Sequence, residues 1–404
     1  MDKIDAGLRA EAVLADIAGS GEIWRPSFTP EYMAAKDKVR ELMAQTGLRT
    51  YEDAVGNLYG VLKGESECTV LTGSHLDTVR NGGKYDGACG IVLPVLALEE
   101  LVAEGFKPKK TVSVIAMFEE EGSRFPSSYL SSRFITGKIT DAELEERDKD
   151  GISIREAMQT CGYDPADYKS AKLDHISAFF ELHAEQGPRL YNCGADIGVV
   201  ENIVGLYSYE LTLTGKQNHA GTTPMNMRLD PVLEACRIID GVDSFVRAET
   251  PSAVVTAGGI RSVPGLSNVI AEEAFFTLDF RAGSQAALGA IDGYIRHRLK
   301  DSEAKGFAVK LTVKCAEPPC RMDSGIAAAV QNAADEAGLK SLHMDSGAGH
   351  DSQIIATSFP TGMVFIPSVD GVSHSPREYT RPEDLKNGIK TVKQLILRLA
   401  GEAK

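Results

Sequence analysis

The amino-acid sequence predicts an α/β protein, a mainly parallel, helix-covered sheet interrupted by an inserted ferredoxin-like unit. Three observations carry this expectation. Strand and helix signals alternate through the first half of the chain, the pattern of a parallel sheet covered by helices. From residue 204 the order changes to βαββαβ, the ferredoxin-like arrangement. After residue 318 the alternation resumes. A chain of 404 residues is also long for one domain,. The expected organisation is a discontinuous domain, 1–203 plus 319–404, and an inserted domain with its own core, 204–318.

The elements follow in order. EYMAAKDKVRELMAQT at 31–46 repeats apolar residues at helical spacing and stops at Gly47, a good residue just past a helix end,. NLYGVL at 57–62 and CTVLTGSH at 68–75 predict strands, GIVLPVLALEELVAEG at 90–105 a buried helix, and TVSVIAMF at 111–118 a buried strand,. The insert predicts strand 206–214, helix 229–248, strands 253–260 and 269–281, helix 284–303 and strand 307–315. Helix 324–338, strand 362–366 and helix 381–402 complete the chain, with no internal repeat or low-complexity segment.

Composition narrows the function classes. The hydrophobic fraction of 43% and charged fraction of 25% are those of a soluble globular protein,. A net charge of −14 excludes nucleic acid as the expected partner, since an acidic surface repels phosphate backbones,. MDKIDAGLRAEAVLADIAG at the start reads as an amphipathic helix, with no signal peptide and no membrane-spanning run,. Seven cysteines, odd in number and without a CxxC pair, suit free thiols in a reducing cytoplasm,.

Four segments concentrate the polar chemistry: GSHLDTVRNGGKYDGACG (73–90), FEEEGSRF (118–125), ELHAEQGP (181–188) and VSHSP (372–376). Each places a His, Asp or Glu at or just after a strand end, where ligands of such sheets bind. His75 and Asp77, two apart on a strand, share a face, so the carboxylate can orient the imidazole. A Gly-Gly turn can return Asp86 to the same place. The consecutive Glu119, Glu120 and Glu121 repel one another unless a cation compensates. Imidazoles and carboxylates without thiolates suit zinc, manganese or cobalt, and two-metal sites use a carboxylate bridge. Each piece has a plain structural alternative: the Glu triplet as a solvated helix start, His183 as a core histidine, His374 as a turn residue. Spacing alone does not choose between a metal hydrolase and these.

Read in order, the segments resemble the hydantoinase/carbamoylase family of dinuclear metal amidohydrolases, a branch of the aminoacylase and carboxypeptidase-type metallopeptidases. The similarity extends to NHAGTTPMNMRLDP (218–231), SNVI (267–270), DFR (279–281) and SGAGHDSQ (346–353). EEGSRF together with ELHAEQGP is specific to this branch; the wider superfamily usually has a carboxylate where this chain has His183. The resemblance implies two divalent metal ions (zinc, manganese or cobalt), one held by His75 and His183, the other by Glu121 and His374, with Asp86 bridging. Glu120 would be the general base and acid. Glu119 is an alternative register, but the family pattern puts Gly directly after the ligand, which selects Glu121.

The resemblance also implies His219 as oxyanion stabiliser reaching a partner subunit's site, and hence a homodimer built through the inserted lid domain. Gln186 would contact the ureido group, Asn268 and Arg281 the substrate carboxylate, and His350 would line the site. The plainer alternatives are a surface salt bridge for Arg281 and a loop cap for His219. His175, His297 and His343 fall in no motif and read as structural or exposed, and Cys89 as packing. The implied substrate is a small anionic ureido or carbamoyl acid, allantoate or an N-carbamoyl-L-amino acid, with the NGGKYDG loop leaning towards allantoate. Rival readings are an N-acyl-amino acid or dipeptide hydrolase, which the Gln186 segment opposes, and a catalytically silent ligand-binding dimer, which the intact motif positions oppose.

Overall fold

The computed structural model describes residues 5–401, and they divide into two compact units. One comprises the chain up to Glu201 and from Arg321 onward; the other is Asn202–Cys320. The first begins with α1 (Ala6–Ala18) and α2 (Pro30–Gln45), followed by β1 (Arg49–Glu52), β2 (Leu58–Leu62), β3 (Ser66–His75), α3 (Cys89–Ala103) and β4 (Lys110–Met117). Two short helices, α4 (Leu130–Ile135) and α5 (Ile154–Thr160), precede β5 (Ile176–Ala184), α6 (Arg189–Cys193) and β6 (Ile197–Ile203). Sequence periodicity shows neither these helices nor β1 and β6, which are too short or irregular to carry a period.

The sheet of this unit runs β1-β2-β4-β3-β5, continuing through β16 (Thr361–Ile366) to β6. Strands β4, β3, β5 and β16 are mutually parallel, and β2 and β6 flank them antiparallel. The register brings the carboxyl ends together: His75 pairs with Met117, and His183 with Phe365. The polar segments that follow these strands therefore emerge along one edge of the sheet. α3 is buried from Cys89 through Leu98, and each wholly buried Ile, Val or Leu contributes about 1.5–3 kcal/mol. A Cβ on its Gly90 would lie 2.2 Å from the Leu182 carbonyl oxygen, so the helix rests directly on β3 and β5.

The second unit contains β7 (Gly205–Thr214), β8 (Asn218–His219), α7 (Pro231–Glu249), β9 (Val254–Thr256), β10 (Ile260–Val263), β11 (Val269–Ile270), β12 (Glu273–Ala282), α8 (Gln285–Ala304) and β13 (Ala308–Glu317). Its antiparallel sheet has the order β10-β12-β7-β13, with β9 also on β12. This is the ferredoxin-like order, with two differences from the expected strands. The strand expected at 253–260 is two pieces on β12, broken around Gly258 and Gly259. The strand expected at 269–281 is also two, because β11 leaves the sheet to pair with β8.

The remainder of the first unit is β14 (Cys320–Arg321), α9 (Ser324–Glu336), β15 (Ser341–Ser346), α10 (Asp351–Ile355), β16 and α11 (Pro382–Ala400). The expected start at Met1 and end at Glu402 of the terminal helices lie outside the described residues. All seven cysteines are free. Among the described residues no helix is long and apolar enough to cross a membrane.

Candidate metal centre and substrate residues

His75, Asp86, Glu120, Glu121, His183 and His374 converge at the carboxyl ends of the parallel strands. Asp86 sits between two groups. Its Oδ1 lies 3.3 Å from His183 Nε2 and 3.7 Å from His75 Nε2. Its Oδ2 lies 3.3 Å from His374 Nε2, and that nitrogen is 3.3 Å from Glu121 Oε1. The ligand atoms of His75, Asp86 and His183 lie within 4.8 Å of one another, and so do those of Asp86, Glu121 and His374.

Backbone carbonyls fix the histidine tautomers. His75 Nδ1 is 3.0 Å from the Asp77 carbonyl oxygen, and His183 Nδ1 is 2.9 Å from that of Ala184. With each Nδ1–H donating, both Nε2 lone pairs face Asp86, the orientation a metal-binding histidine needs. Asp77 is buried, and its two carboxylate oxygens accept the Glu120 and Glu121 amide protons at 3.2 Å each. One aspartate thereby positions a histidine and both following glutamates.

The glutamate triplet divides its work. Glu119 adopts a left-handed backbone, φ 55°, and its Oε1 accepts the Arg124 and Phe125 amides at 2.8 Å, turned to its own loop. Glu120 Oε2 is 3.9 Å from His75 Nε2, and Glu121 faces His374. Burial, followed by the charge of Asp77, raises the Glu119 carboxyl to about 7. Burial likewise holds Glu120 well above the usual carboxylate range, against His75 and with Glu121, Asp351 and Asp77 adding to it. A carboxyl raised in this way holds an accepted proton more readily than an exposed one does.

The donor set fits divalent cations. Asp86 Oδ1 is buried and has no hydrogen-bond partner among the described residues, yet it faces two imidazole lone pairs. His374 is raised to about 10 by its bonds to Asp86 and then Glu121, so the cluster attracts positive charge. A further set, Glu181, His183 and His350, also lies within 4.8 Å. There Glu181 is already engaged, its Oε1 accepting from Ser74 Oγ and its Oε2 from Ser352 Oγ, both at 2.7 Å.

Gln186, at φ 57°, donates from Nε2 to Asp86 Oδ2 at 3.1 Å and Ser373 Oγ at 3.2 Å. His350 is buried edge-on against His183, ring centroids 4.6 Å apart, with Nε2 2.9 Å from Ser346 Oγ. The other three expected substrate residues belong to the inserted unit. The β8–β11 ribbon pairs His219 with Val269, and the Ala220 amide donates to the Asn268 carbonyl at 3.0 Å, so His219 and Asn268 are neighbours. His219 Nδ1 accepts from the Gly221 and Thr222 amides at 3.0 and 3.2 Å, which leaves Nε2–H as an exposed donor. Both the loop-cap geometry and a donor suited to an oxyanion are thus present in one side chain. Arg281 Nε donates to Asp279 Oδ1 at 3.0 Å, the ion pair that is its plainer alternative.

Sequence reasoning misses Glu378. It is buried, its Oε2 accepts the Tyr85 and Asp86 amides at 3.0 and 3.2 Å, and Ser373 Oγ donates to its Oε1 at 3.3 Å. It thus ties the Asp86 turn to the His374 loop. Only its nearness to the SHSP segment hints at this. Of the residues outside the motifs, His343 pairs with Glu201 at 2.9 Å, His297 is exposed, and Cys89 is buried, which holds its thiol protonated.

Gly87 shows how closely the Asp86 turn is fitted. Its φ is +63°, and a Cβ there would lie 2.4 Å from the His75 carbonyl oxygen and 2.5 Å from His75 Cε1. Gly87→Ala is expected to push the His75 ring off Asp86 and weaken metal binding by at least about tenfold. Metal per chain after dialysis, measured by atomic emission, checks this.

Two imidazole–carboxylate sets sharing one aspartate, at the carboxyl ends of a parallel sheet, are a donor set suited to divalent metal ions and mark the protein as a metal-dependent hydrolase,. The chain belongs to peptidase family M20/M25/M40, whose model matches residues 71–398, and within it to the hydantoinase/carbamoylase branch. It is 39% identical over 389 residues to an allantoate amidohydrolase of Bacillus subtilis, covering 95% of this chain and 94% of that one. It is 37% identical over 387 residues to an N-carbamoyl-L-amino acid amidohydrolase of Geobacillus stearothermophilus, covering 94% of each. The crystal structure of a hydantoinase/carbamoylase family amidase from Burkholderia multivorans superposes with a TM-score of 0.91 at 32% identity, over 98% of each chain. The chain is accordingly a metal-dependent amidohydrolase acting on ureido or amide C–N bonds.

Proposed function

We propose that this enzyme hydrolyses a linear ureido C–N bond in a small carboxylate, allantoate or an N-carbamoyl-L-amino acid, releasing ammonia and carbon dioxide. The observation that carries the reading is Asp86, whose two oxygens face separate ligand pairs. In this reading His75 and His183 would hold one ion and Glu121 and His374 the other, with Asp86 a ligand available to both. Zinc, manganese and cobalt all suit this donor set. Two such ions, when bound, lower the pKa of water and polarise the carbonyl.

The chain's own residues do the rest. Glu120 takes the proton of the attacking water and returns it to the departing nitrogen. Gln186 contacts the ureido group beside Asp86, with His350 supporting the wall behind His183. His219 donates from Nε2 to the carbonyl oxygen as negative charge develops there. Asn268 and Arg281 hold the substrate carboxylate, Arg281 after exchanging Asp279 for the ligand. The inserted domain acts as lid and dimer contact, so that His219 serves the partner's site in a homodimer. The free cysteines suit a cytoplasmic setting.

The test is ammonia release by metal-loaded enzyme given allantoate, N-carbamoyl-L-amino acids, N-acetyl-amino acids or a dipeptide. Ammonia from one of the first two, abolished by chelator and restored by metal, is the expected result. Free amine without ammonia, from the acetylated compound or the dipeptide, would move the enzyme to the acylase or peptidase reading.

A further inference from the structure

Residues 22–28, EIWRPSF, precede the matched family region yet lie across two of the segments that carry candidate metal ligands, the one after His75 and the one holding Glu120 and Glu121. On one side the Gly82 amide donates to the Ile23 carbonyl at 3.2 Å, and the Thr78 amide to the Arg25 carbonyl at 3.4 Å. On the other, Arg124 Nη1 donates to the Ser27 carbonyl at 2.6 Å, and Phe28 packs on Phe118 with ring centroids 4.9 Å apart. Arg25 is the centre of this strap. Its amide donates to Thr78 Oγ1 at 2.9 Å, and its Nε to the Leu76 carbonyl at 3.0 Å.

Arg25 is only 3% exposed, and its buried Nη1 and Nη2 have no hydrogen-bond partner among the described residues. Burial pulls its pKa down to about 10, opposed by the negative charges of Asp77, Asp86 and Glu378. Burying a cation without a closed hydrogen-bond set is costly, and an apolar side chain would fill the same space without that cost. The bonds made by Arg25 give a reason for it. They fix the carbonyl before Asp77 and the residue after it, leaving Asp77 little freedom. Asp77 in turn receives His75 Nδ1–H on its carbonyl and the Glu120 and Glu121 amides on its carboxylate.

We infer that Arg25 is a positioning residue for the metal centre, clamping the 76–78 turn from which Asp77 orients His75, Glu120 and Glu121. The inference rests on reading the centre as a divalent-metal site, and its sign is diagnostic. Removing a buried positive charge beside a cation site would, on Coulombic grounds alone, tighten metal binding. Loss of a clamp weakens it, by about 10–100-fold where ligand-orienting partners are removed.

The experiment titrates zinc into metal-free protein against a chromophoric chelator, without substrate, for wild type, Arg25→Met, Arg25→Lys and Thr78→Val. Circular dichroism first establishes the folded fraction. Zinc affinity per folded molecule is expected to fall by about 10–100-fold in Arg25→Met, and less in Arg25→Lys, which keeps the charge and a donor. Thr78→Val, which removes the acceptor of the Arg25 amide, should weaken binding in the same direction. Unchanged or tighter binding by folded Arg25→Met overturns the inference. Should Arg25→Met not fold, unchanged affinity in both other variants overturns it equally. A wild type that binds no zinc would instead overturn the metal reading itself, a different outcome from any of these.

Discussion

Glu120→Gln is expected to lower turnover by about 10²–10⁴-fold, the range supplied by a positioned acid–base group, while leaving metal content at the wild-type level. The Glu120 amide is held by Asp77 Oδ1, and the side chain is nearly buried, with Oε2 3.9 Å from His75 Nε2. Glutamine keeps the size and the backbone bond, so the fold and the ligands stay in place. It cannot take a proton from water, and the barrier rises by about 3–5 kcal/mol. Because Glu120 contributes no ligand in this assignment, KM and metal stoichiometry should change little. Turnover measured beside atomic emission on the same preparation separates the alternatives. Loss of metal in Glu120→Gln would mean that Glu120 is a ligand, and the roles of Glu120 and Glu121 would exchange.

Much of the site is legible in the sequence because of where its residues lie. His75, Glu120, Glu121 and His183 all stand at the ends of apolar runs, or just beyond them. The strand that makes such a run visible also delivers its polar end to the sheet edge. Asp86 is visible through the Gly82-Gly83 turn before it. The parts that stay hidden depend on distant chain. Glu378 acts on amides of residues 85 and 86, almost three hundred positions earlier, and no local period records that. Glu181 is one letter in a recognisable segment, and only the fold closes Ser74 and Ser352 around it. The direction of Glu119 is set by a left-handed residue that an Arg124–Phe125 amide pair rewards.

The fold shows the same division. Long elements with strong periods, such as α2, α3, β4, α7 and α8, are readable to within a residue or two. The segment 119–175 is not, because its helices are short and much of its backbone is held by side-chain bonds rather than by a repeating pattern. The inserted unit is legible as a βαββαβ order, but its second strand divides at Gly258-Gly259, two residues whose signal an otherwise continuous strand pattern masks. The departure of β11 from the sheet sets Asn268 beside His219.

Asp86→Asn carries the other large expected effect, and it tests the centre more severely than any single imidazole substitution. The carboxylate faces both ligand pairs: Oδ1 faces His75 and His183, Oδ2 faces His374. Asparagine fills the same volume, and its backbone amide remains on Glu378, so the turn should hold. It brings one acceptor instead of two and no charge, and its NH₂ must face one of the two sets. Whichever way the amide turns, both pairs lose an anionic oxygen and one of them meets a donor. Metal content is therefore expected to fall from two ions per chain to one or fewer. Turnover should fall beyond the roughly 10–100-fold loss typical of residues that only orient ligands. His374, which owes its raised pKa first to Asp86 and then to Glu121, gives a readout independent of activity. In the metal-free variant its imidazole should titrate at lower pH than in metal-free wild type, seen by NMR. An Asp86→Asn enzyme that keeps two ions and an unshifted His374 would show that the two sets are not joined through Asp86.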